Sequence, residues 1–197
     1  MLGRGKRGRA AHDVSQPKDA AAAPRHRRGR VRLPDGLTVP TRRGEQVLAQ
    51  AQDDLTGMWV VLTTYRLLTL TEGGELALDR PWHEVDTGGW DPDSATLSVS
   101  WVGGTRGLQW QLRQRTGEGG VPQVFRDRVS ASVVLVRKVD LGARRTARVS
   151  IREVLGTREL VDQVLRGRGA RADDRELERE IERCRRGLRE QVGLPPA

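Results

Sequence analysis

One stretch of the sequence, MWVVLTTYRLLTL at 58–70, is more apolar than any other and is interrupted by Thr63, Thr64 and Arg66. Its Val, Trp, Thr and Tyr residues favour strands over a helix. As one strand it would be about twice the usual length, because strands commonly have about 5–6 residues. The stretch therefore predicts two strands with a bend at Thr63-Thr64-Tyr65, where threonine hydroxyls can bond to nearby backbone.

Alternation of apolar and polar residues predicts further strands after this stretch. ATLSVSWV and GLQWQLRQ both alternate, and the GGTRG between them is typical of a hairpin turn. A helix is expected to begin at VPQVFRDRVSA, because Pro122 suits a first helical turn. About seven strands are predicted before this helix, near 46–51, 57–63, 65–71, 75–79, 82–89, 95–101 and 106–113.

The C-terminal third of the chain leaves one alternative open. SVVLVRKV at about 132–139 could extend the helix or form a strand, and its β-branched residues favour the strand. A β-hairpin around Gly156 and an amphipathic helix at about 174–192 follow, with Asp173 as the predicted helix cap. The sequence thus predicts an α+β fold that is mostly β.

The net charge of +9 is concentrated at the N-terminus. Residues 1–44 contain twelve Arg or Lys and three acids, so the remaining residues carry no net charge. The Gly, Ala, Pro and Arg content of residues 1–40 predicts a disordered basic tail. Such a tail is either a solubilising extension or a contact for a polyanion, nucleic acid or anionic membrane. The candidate contacts are Arg4, Lys6, Arg7, Arg9, Arg25, Arg27, Arg28 and Arg30.

The sequence contains few of the histidine and cysteine residues that commonly bind metals or act in catalysis. His12, His26 and His83 are scattered without metal-ligand spacing, and the single Cys184 excludes an internal disulfide. No enzyme motif occurs, so we expect no enzymatic activity and predict no catalytic, metal or cofactor-binding residue. No run approaches the roughly 18 apolar residues of a membrane span, and the basic start lacks the apolar core of a secretory signal. A cytoplasmic protein without a transmembrane segment is the resulting expectation.

The phrase VLTTYRLL at 61–68 resembles an element of the bacterial pleckstrin-homology-like (PH-like) and GRAM domains. In those families an apolar strand, a Thr-containing turn, Arg-Leu and a second apolar strand follow one another. The strand entry PW..V at 81–85 is also similar. The resemblance covers about residues 44–131, and the whole body resembles an uncharacterised actinobacterial family of this type. It implies a curved antiparallel sheet, or partly open barrel, of about seven strands with a capping helix.

Composition, residue patterns and the resemblance together predict three regions: a tail at 1–40, a PH-like domain at 41–131, and an extension at 132–197 packed on the same body. It implies an interaction or scaffold module rather than an enzyme, with a protein or peptide partner that the sequence does not identify. Binding is expected at a free sheet edge or between a sheet edge and a helix. Phosphoinositide-binding members use a basic first loop, whereas Asp53 and Asp54 here would repel a phosphate.

The tryptophans and Arg66 are the candidates for a partner site. Trp101 and Trp110 fall on inward faces and are expected in the core. Arg66 is expected either to form an ion pair with Glu84 or Asp86 or to contact a ligand. The candidate residues of a partner groove are Trp59, Arg66, Trp82 and Trp90.

Overall fold

The computed structural model describes residues 31–104 and 106–195. Within these residues the chain forms three antiparallel sheets and two α-helices, which confirms the mostly β, α+β fold class. The strands are β1 (Val47–Gln52), β2 (Trp59–Thr63), β3 (Arg66–Leu70), β4 (Leu76–Pro81), β5 (Val85–Asp91), β6 (Thr96–Trp101), β7 (Leu108–Gln111), β8 (Val133–Asp140), β9 (Thr146–Val154) and β10 (Glu159–Arg166). The helices are α1 (Val121–Ala131) and α2 (Arg175–Gln191).

The first seven strands and α1 enclose the main core. Strands β1 to β4 form one sheet in sequence order, and β5 to β7 form a second. Helix α1 begins after Gly120, whose φ of 82° suits glycine, and buries Val121 and Phe125. The Phe125 ring packs edge-on against Trp82 at 6.0 Å between centroids. Seven strands followed by a helix agree with the PH-like resemblance, and the structure divides these strands into sheets of four and three.

The bend predicted within 58–70 is confirmed, because β2 ends at Thr63 and β3 begins at Arg66. The Thr63 side chain forms the turn: its Oγ1 accepts from the backbone N–H of Tyr65 at 3.1 Å and of Arg66 at 3.0 Å. The same hydroxyl donates to Glu45 Oε1 at 2.5 Å. The polar interruption of the apolar stretch is therefore a structural turn, and its Thr63 and Arg66 side chains are buried.

The third sheet confirms the predicted strand near 132–139 and the hairpin around Gly156. Its order is β10-β9-β8, and α2 covers one face with Leu177, Ile181 and Leu188. The helix cap differs from the prediction: the Asp174 side chain accepts from the backbone N–H of Leu177 at 3.1 Å. Asp173, the expected cap, instead accepts hydrogen bonds from Arg171, at 2.8 and 2.9 Å.

A buried arginine fastens the third sheet to the main body. Arg152 of β9 donates to Trp82 O at 3.0 Å, to Val85 O at 3.2 Å and to Ser132 Oγ at 2.7 Å. Trp82 begins a short 3-10 turn at Trp82–Glu84 and Val85 follows it, and this turn joins the first sheet to the second. Burial and the nearby Arg148 lower the pKa of Arg152 to about 10.

Residues 31–40, which we call the strap, cross the outer face of the first sheet. Val31, Leu33, Leu37 and Val39 pack there against a cluster made of Trp59, Val61, Leu68 and Leu70. This contact explains why every residue of β2 and β3 is buried, whichever face it occupies. The predicted tail extended to residue 40, but its described end packs on the body, and residues 1–30 lie outside the described residues.

Candidate functional site

The four residues expected to line a partner groove do not share a surface. Trp59 is 4% exposed beneath the strap, and Trp82 is fully buried in the main core. Arg66 is 3% exposed, and the half-buried Trp90 packs on the main core. The structure corrects the expectation here, because three of the four side chains have no free face to offer a partner.

Arg66 is the centre of a buried ion-pair network. Its guanidinium donates to Glu45 at 2.9 and 3.0 Å and to Pro40 O, at the end of the strap, at 2.6 Å. It also bonds to Asp79 of β4. Burial alone would raise the pKa of Glu45, but hydrogen bonds from Arg66 and Thr63 hold this pKa below its usual value. Arg66 thus ties the strap, the β2–β3 turn and β4 together.

Glu84 and Asp86, the partners expected for Arg66, bind other arginines. Arg80 donates to Glu84 at 2.8 Å, and Arg148 of the third sheet bonds to Asp86. Both acids come after the end of β4, where the chain turns into the second sheet. The turn carries them away from β3, so they serve other junctions of the fold.

The β1–β2 loop, which the resemblance made the usual phosphate site, binds its own chain. Asp53 is 1% exposed and accepts from Thr56 Oγ1 at 2.6 Å and from Gln111 N at 2.8 Å. Asp54 accepts from three consecutive backbone N–H groups, those of residues 113–115, at 2.8 to 3.0 Å. Burial opposes these bonds, but they lower the pKa of Asp54. Both carboxylates hold the loop to the end of β7.

The eight arginine and lysine residues predicted to contact a polyanion, Arg4 to Arg30, lie outside the described residues, so that hypothesis stays a prediction. Within residues 31–104 and 106–195, no group of three or more metal-binding side chains is placed to hold an ion. Neither helix of that part of the chain is long and apolar enough to cross a membrane.

A concavity of about 880 Å³ is a shallow depression on the second sheet. Its side-chain hydroxyls and amide bond to one another: Thr87 lies 2.7 Å from Ser100, and Gln109 donates to Ser98 at 2.9 Å. Arg106 is the charged residue in its lining. Because its polar groups are already paired, this depression offers little to orient a ligand.

Strand β8 is an open edge of the third sheet in the described chain, since the sheet order is β10-β9-β8. It exposes three valines: Val133 and Val134 at 38% and Val136 at 54%. Leu135, which lies between them, packs towards the cluster beneath α2. A β-branched edge strand of this kind presents unpaired backbone groups beside apolar side chains.

A groove of about 330 Å³ runs between β8 and α2. Its sides include Val139, Leu141 and Cys184, and burial raises the pKa of the Cys184 thiol, so the thiol form dominates. The groove also contains two internal ion pairs. These are Lys138 with Asp140, at 2.6 Å, and Arg183 with Glu180. Arg137 is exposed and forms no ion pair with any described residue, so it leaves the groove with one uncompensated positive charge.

Sequence reasoning identified β8 as a strand but did not place it at an edge. One signal was present, because valine occupies odd and even positions of this strand: Val133, Val134 and Val136. A half-exposed strand usually has polar residues at one of the two sets of positions. That signal could equally indicate a strand buried on both faces, as β2 is. Only the sheet order separates the two cases.

Comparison with known proteins gives one structural likeness. A crystal structure of a DUF1696 family protein with a pleckstrin-homology domain, from Shewanella loihica PV-4, is 19% identical, with a TM-score of 0.37. The likeness covers 45% of this chain and 85% of that one. No family model matches this sequence, and no curated protein matches it.

Proposed function

We propose that this chain is a non-enzymatic, PH-like interaction module that binds an extended segment of a partner protein along β8. The observation that carries the proposal is the open, valine-rich edge of the third sheet beside the groove under α2. The Trp59 and Arg66 region has no comparable free surface, because the strap and Glu45 already occupy it.

Backbone pairing would supply the affinity. In an antiparallel sheet, alternate residues of an edge strand direct their N–H and C=O groups away from the neighbouring strand. Strand β8 is paired with β9 in regular register from Leu135 to Asp140, after an irregularity between Val133 and Leu135, so its outer side can accept a partner strand of about six residues. Adding a strand would bury these backbone groups in hydrogen bonds, as in other cases of strand addition.

Side chains would supply the selectivity. Val134 and Val136 favour β-branched or aromatic cross-strand neighbours, because such pairs stabilise sheets by about 0.2–1 kcal/mol each. Arg137 favours a carboxylate, since no described acid pairs with it. The partner segment is therefore an extended one with alternating apolar residues and an Asp or Glu that reaches Arg137.

Selection from a library of displayed 12-residue peptides tests this proposal. We expect clones selected on the full chain to bind it and to lose binding when Val134 and Val136 are both changed to Lys. The matched control is Leu55→Lys, because Leu55 is the most exposed large apolar residue, at 78%, and lies on the β1–β2 loop. Clones that lose binding equally to both variants, or to neither, would contradict the site. The selected peptides should be enriched in Asp or Glu. Loss of this enrichment when the selection is repeated on Arg137→Gln would support pairing of a partner carboxylate with Arg137.

The charge distribution favours a second candidate function, contact with a polyanion through the N-terminal tail. The whole net charge of +9 lies within residues 1–44, where counterion release would make binding strongly dependent on salt. Changing the eight candidate residues to Gln in the full chain should abolish that binding; these are Arg4, Lys6, Arg7, Arg9, Arg25, Arg27, Arg28 and Arg30. Unchanged binding to duplex DNA and to anionic vesicles would rule this function out.

A further inference from the structure

Helix α2 carries a row of arginines on the side that faces away from the third sheet. Arg175, Arg179, Arg183 and Arg186 are all exposed. At 3.6 residues per turn they fall within an arc of about 80°, and the row is about 16 Å long. Leu177, Ile181 and Leu188 occupy the opposite side and pack on the sheet. We call these four arginines the arginine ridge.

The acids of α2 do not neutralise this ridge, because arginines outside it hold most of them. Arg145, which precedes β9, binds Glu176 at 2.7 Å, and Arg166 of β10 binds Glu178 at 2.8 Å. Arg185 contacts Glu182 at 3.4 Å. Within the ridge itself, Arg183 pairs with Glu180. Glu190 remains as an exposed acid at the end of the helix.

Three members of the ridge, Arg175, Arg179 and Arg186, form no ion pair with any residue in the described part of the chain. The neutral net charge of residues 45–197 therefore hides a local concentration of arginine on the outer side of α2, where three guanidinium groups form no ion pair with a described residue.

We propose that the arginine ridge is a binding surface for the phosphate backbone of duplex nucleic acid, independent of base sequence. Guanidinium groups bind phosphate oxygens through two parallel hydrogen bonds, and a row of about 16 Å matches the length of about five phosphates along one strand of a duplex. The helix contains no aromatic residue that could stack on unpaired bases, which favours a duplex over a single strand.

The same face argues against insertion into a membrane. The exposed large apolar residues of the described chain lie on loops and strands, and none lies on α2. A helix that lies in a membrane interface buries an apolar face, but the apolar face of α2 is already packed on β8, β9 and β10.

Fluorescence anisotropy with a labelled 20-base-pair DNA duplex, over a range of salt concentrations, tests the ridge. The test variant changes Arg175, Arg179 and Arg186 to Gln in the full chain, and Gln preserves helix propensity. The matched control changes three exposed arginines elsewhere, Arg43, Arg106 and Arg126, to Gln, which removes the same charge. Circular dichroism confirms that both variants stay folded.

We expect the ridge variant to bind on the order of a hundredfold more weakly at 0.1 M salt, because about three phosphate contacts are lost and each contributes about 0.9 to the salt slope. The control variant should lose much less. Equal losses in both variants, or no loss in either, would overturn the proposal. Anionic phosphatidylglycerol vesicles serve as the second probe. Loss of vesicle binding with unchanged duplex binding would also overturn it and would make the ridge a membrane surface.

Discussion

Two apolar regions of this protein look alike in sequence and differ in how they are covered. The outer face of the first sheet, with Leu68 and Leu70, lies beneath the strap and is inaccessible. The edge of the third sheet at β8, also rich in Val and Leu, leaves Val136 54% exposed. Apolar content does not separate the two regions, because what differs is whether another segment of the chain lies over them.

The strap region is held at both ends, which distinguishes it further from β8. Gln50 donates to Val31 O at 2.9 Å near the start of the strap, and Arg66 donates to Pro40 O at 2.6 Å at its end. Apolar side chains lie between these two polar contacts. The variants that follow test the covered and open regions against each other, in order of decreasing expected effect.

Arg66→Ala should have the largest effect. It removes the partner of Glu45, whose side chain is fully buried, and an uncompensated buried charge costs about 3–5 kcal/mol. The free energy of unfolding from urea denaturation measures the loss. Arg80→Ala is the control, because its pair with Glu84 is about one-third exposed and should contribute about 1 kcal/mol or less. Similar losses in the two variants would mean that Arg66 does not anchor the covered region.

Leu37→Ala should destabilise the protein by about 1–2 kcal/mol, because it removes part of the apolar contact between the strap and the first sheet. Urea denaturation again gives the value. Val136→Ala on β8 is the matched change at the open region, and it should stay within about 0.5 kcal/mol of the parent. A larger loss of unfolding free energy for Val136→Ala than for Leu37→Ala would mean that β8, and not the strap region, is the covered one.

Lowering the pH from 7.5 to 5.5 should lower the free energy of unfolding through His83, which lies in the 3-10 turn between the first and second sheets. Burial, together with Arg152, lowers the pKa of His83 below 6.5, although Glu84 opposes this shift. The unfolded chain therefore takes up the proton first, so stability is full above about pH 6.5 and falls as the pH drops through the folded pKa. Urea midpoints at both pH values measure the loss. His83→Gln should reduce the difference between them, and an unchanged difference would exclude His83.

Val136→Thr should have the smallest effect on stability, within about 0.5 kcal/mol, because threonine keeps the branched shape at an exposed strand position. Its effect should appear in association instead. Binding of peptides selected on β8 should weaken, while the urea midpoint stays in place. A clear drop in the midpoint would indicate that Val136 is buried in the folded state and that β8 is not an open edge.

The local features of this fold could be predicted from the sequence. Thr63 and Thr64 indicated the bend between β2 and β3, and the β-branched run at 132–139 indicated β8. These signals depend on neighbouring residues, and the chemistry of a turn or a strand is contained within a few positions. The Asp174 cap was missed by one residue for the same local reason, since Asp173 has a suitable side chain too.

The features that sequence could not provide depend on distant residues. The apolar residues of the strap surround Pro34, Asp35 and Gly36, a composition typical of disorder, and only the face made by β2 and β3 gives them something to pack on. Arg66, which follows a turn, was expected to pair with Glu84 or Asp86. Its true partner Glu45 lies in the loop after the strap, where no periodic pattern marks it.

The strap also sets an order of events while the chain is being made. Val31, Leu33 and Leu37 leave the ribosome before β2 and β3, so the surface that shelters them does not yet exist. These residues can pack only after the β2–β3 hairpin has paired. That hairpin is buried on both of its faces in the folded chain. Because the strap precedes the hairpin in the chain, it is already outside the ribosome when β2 and β3 pair, and it can cover their outer face as soon as that face forms.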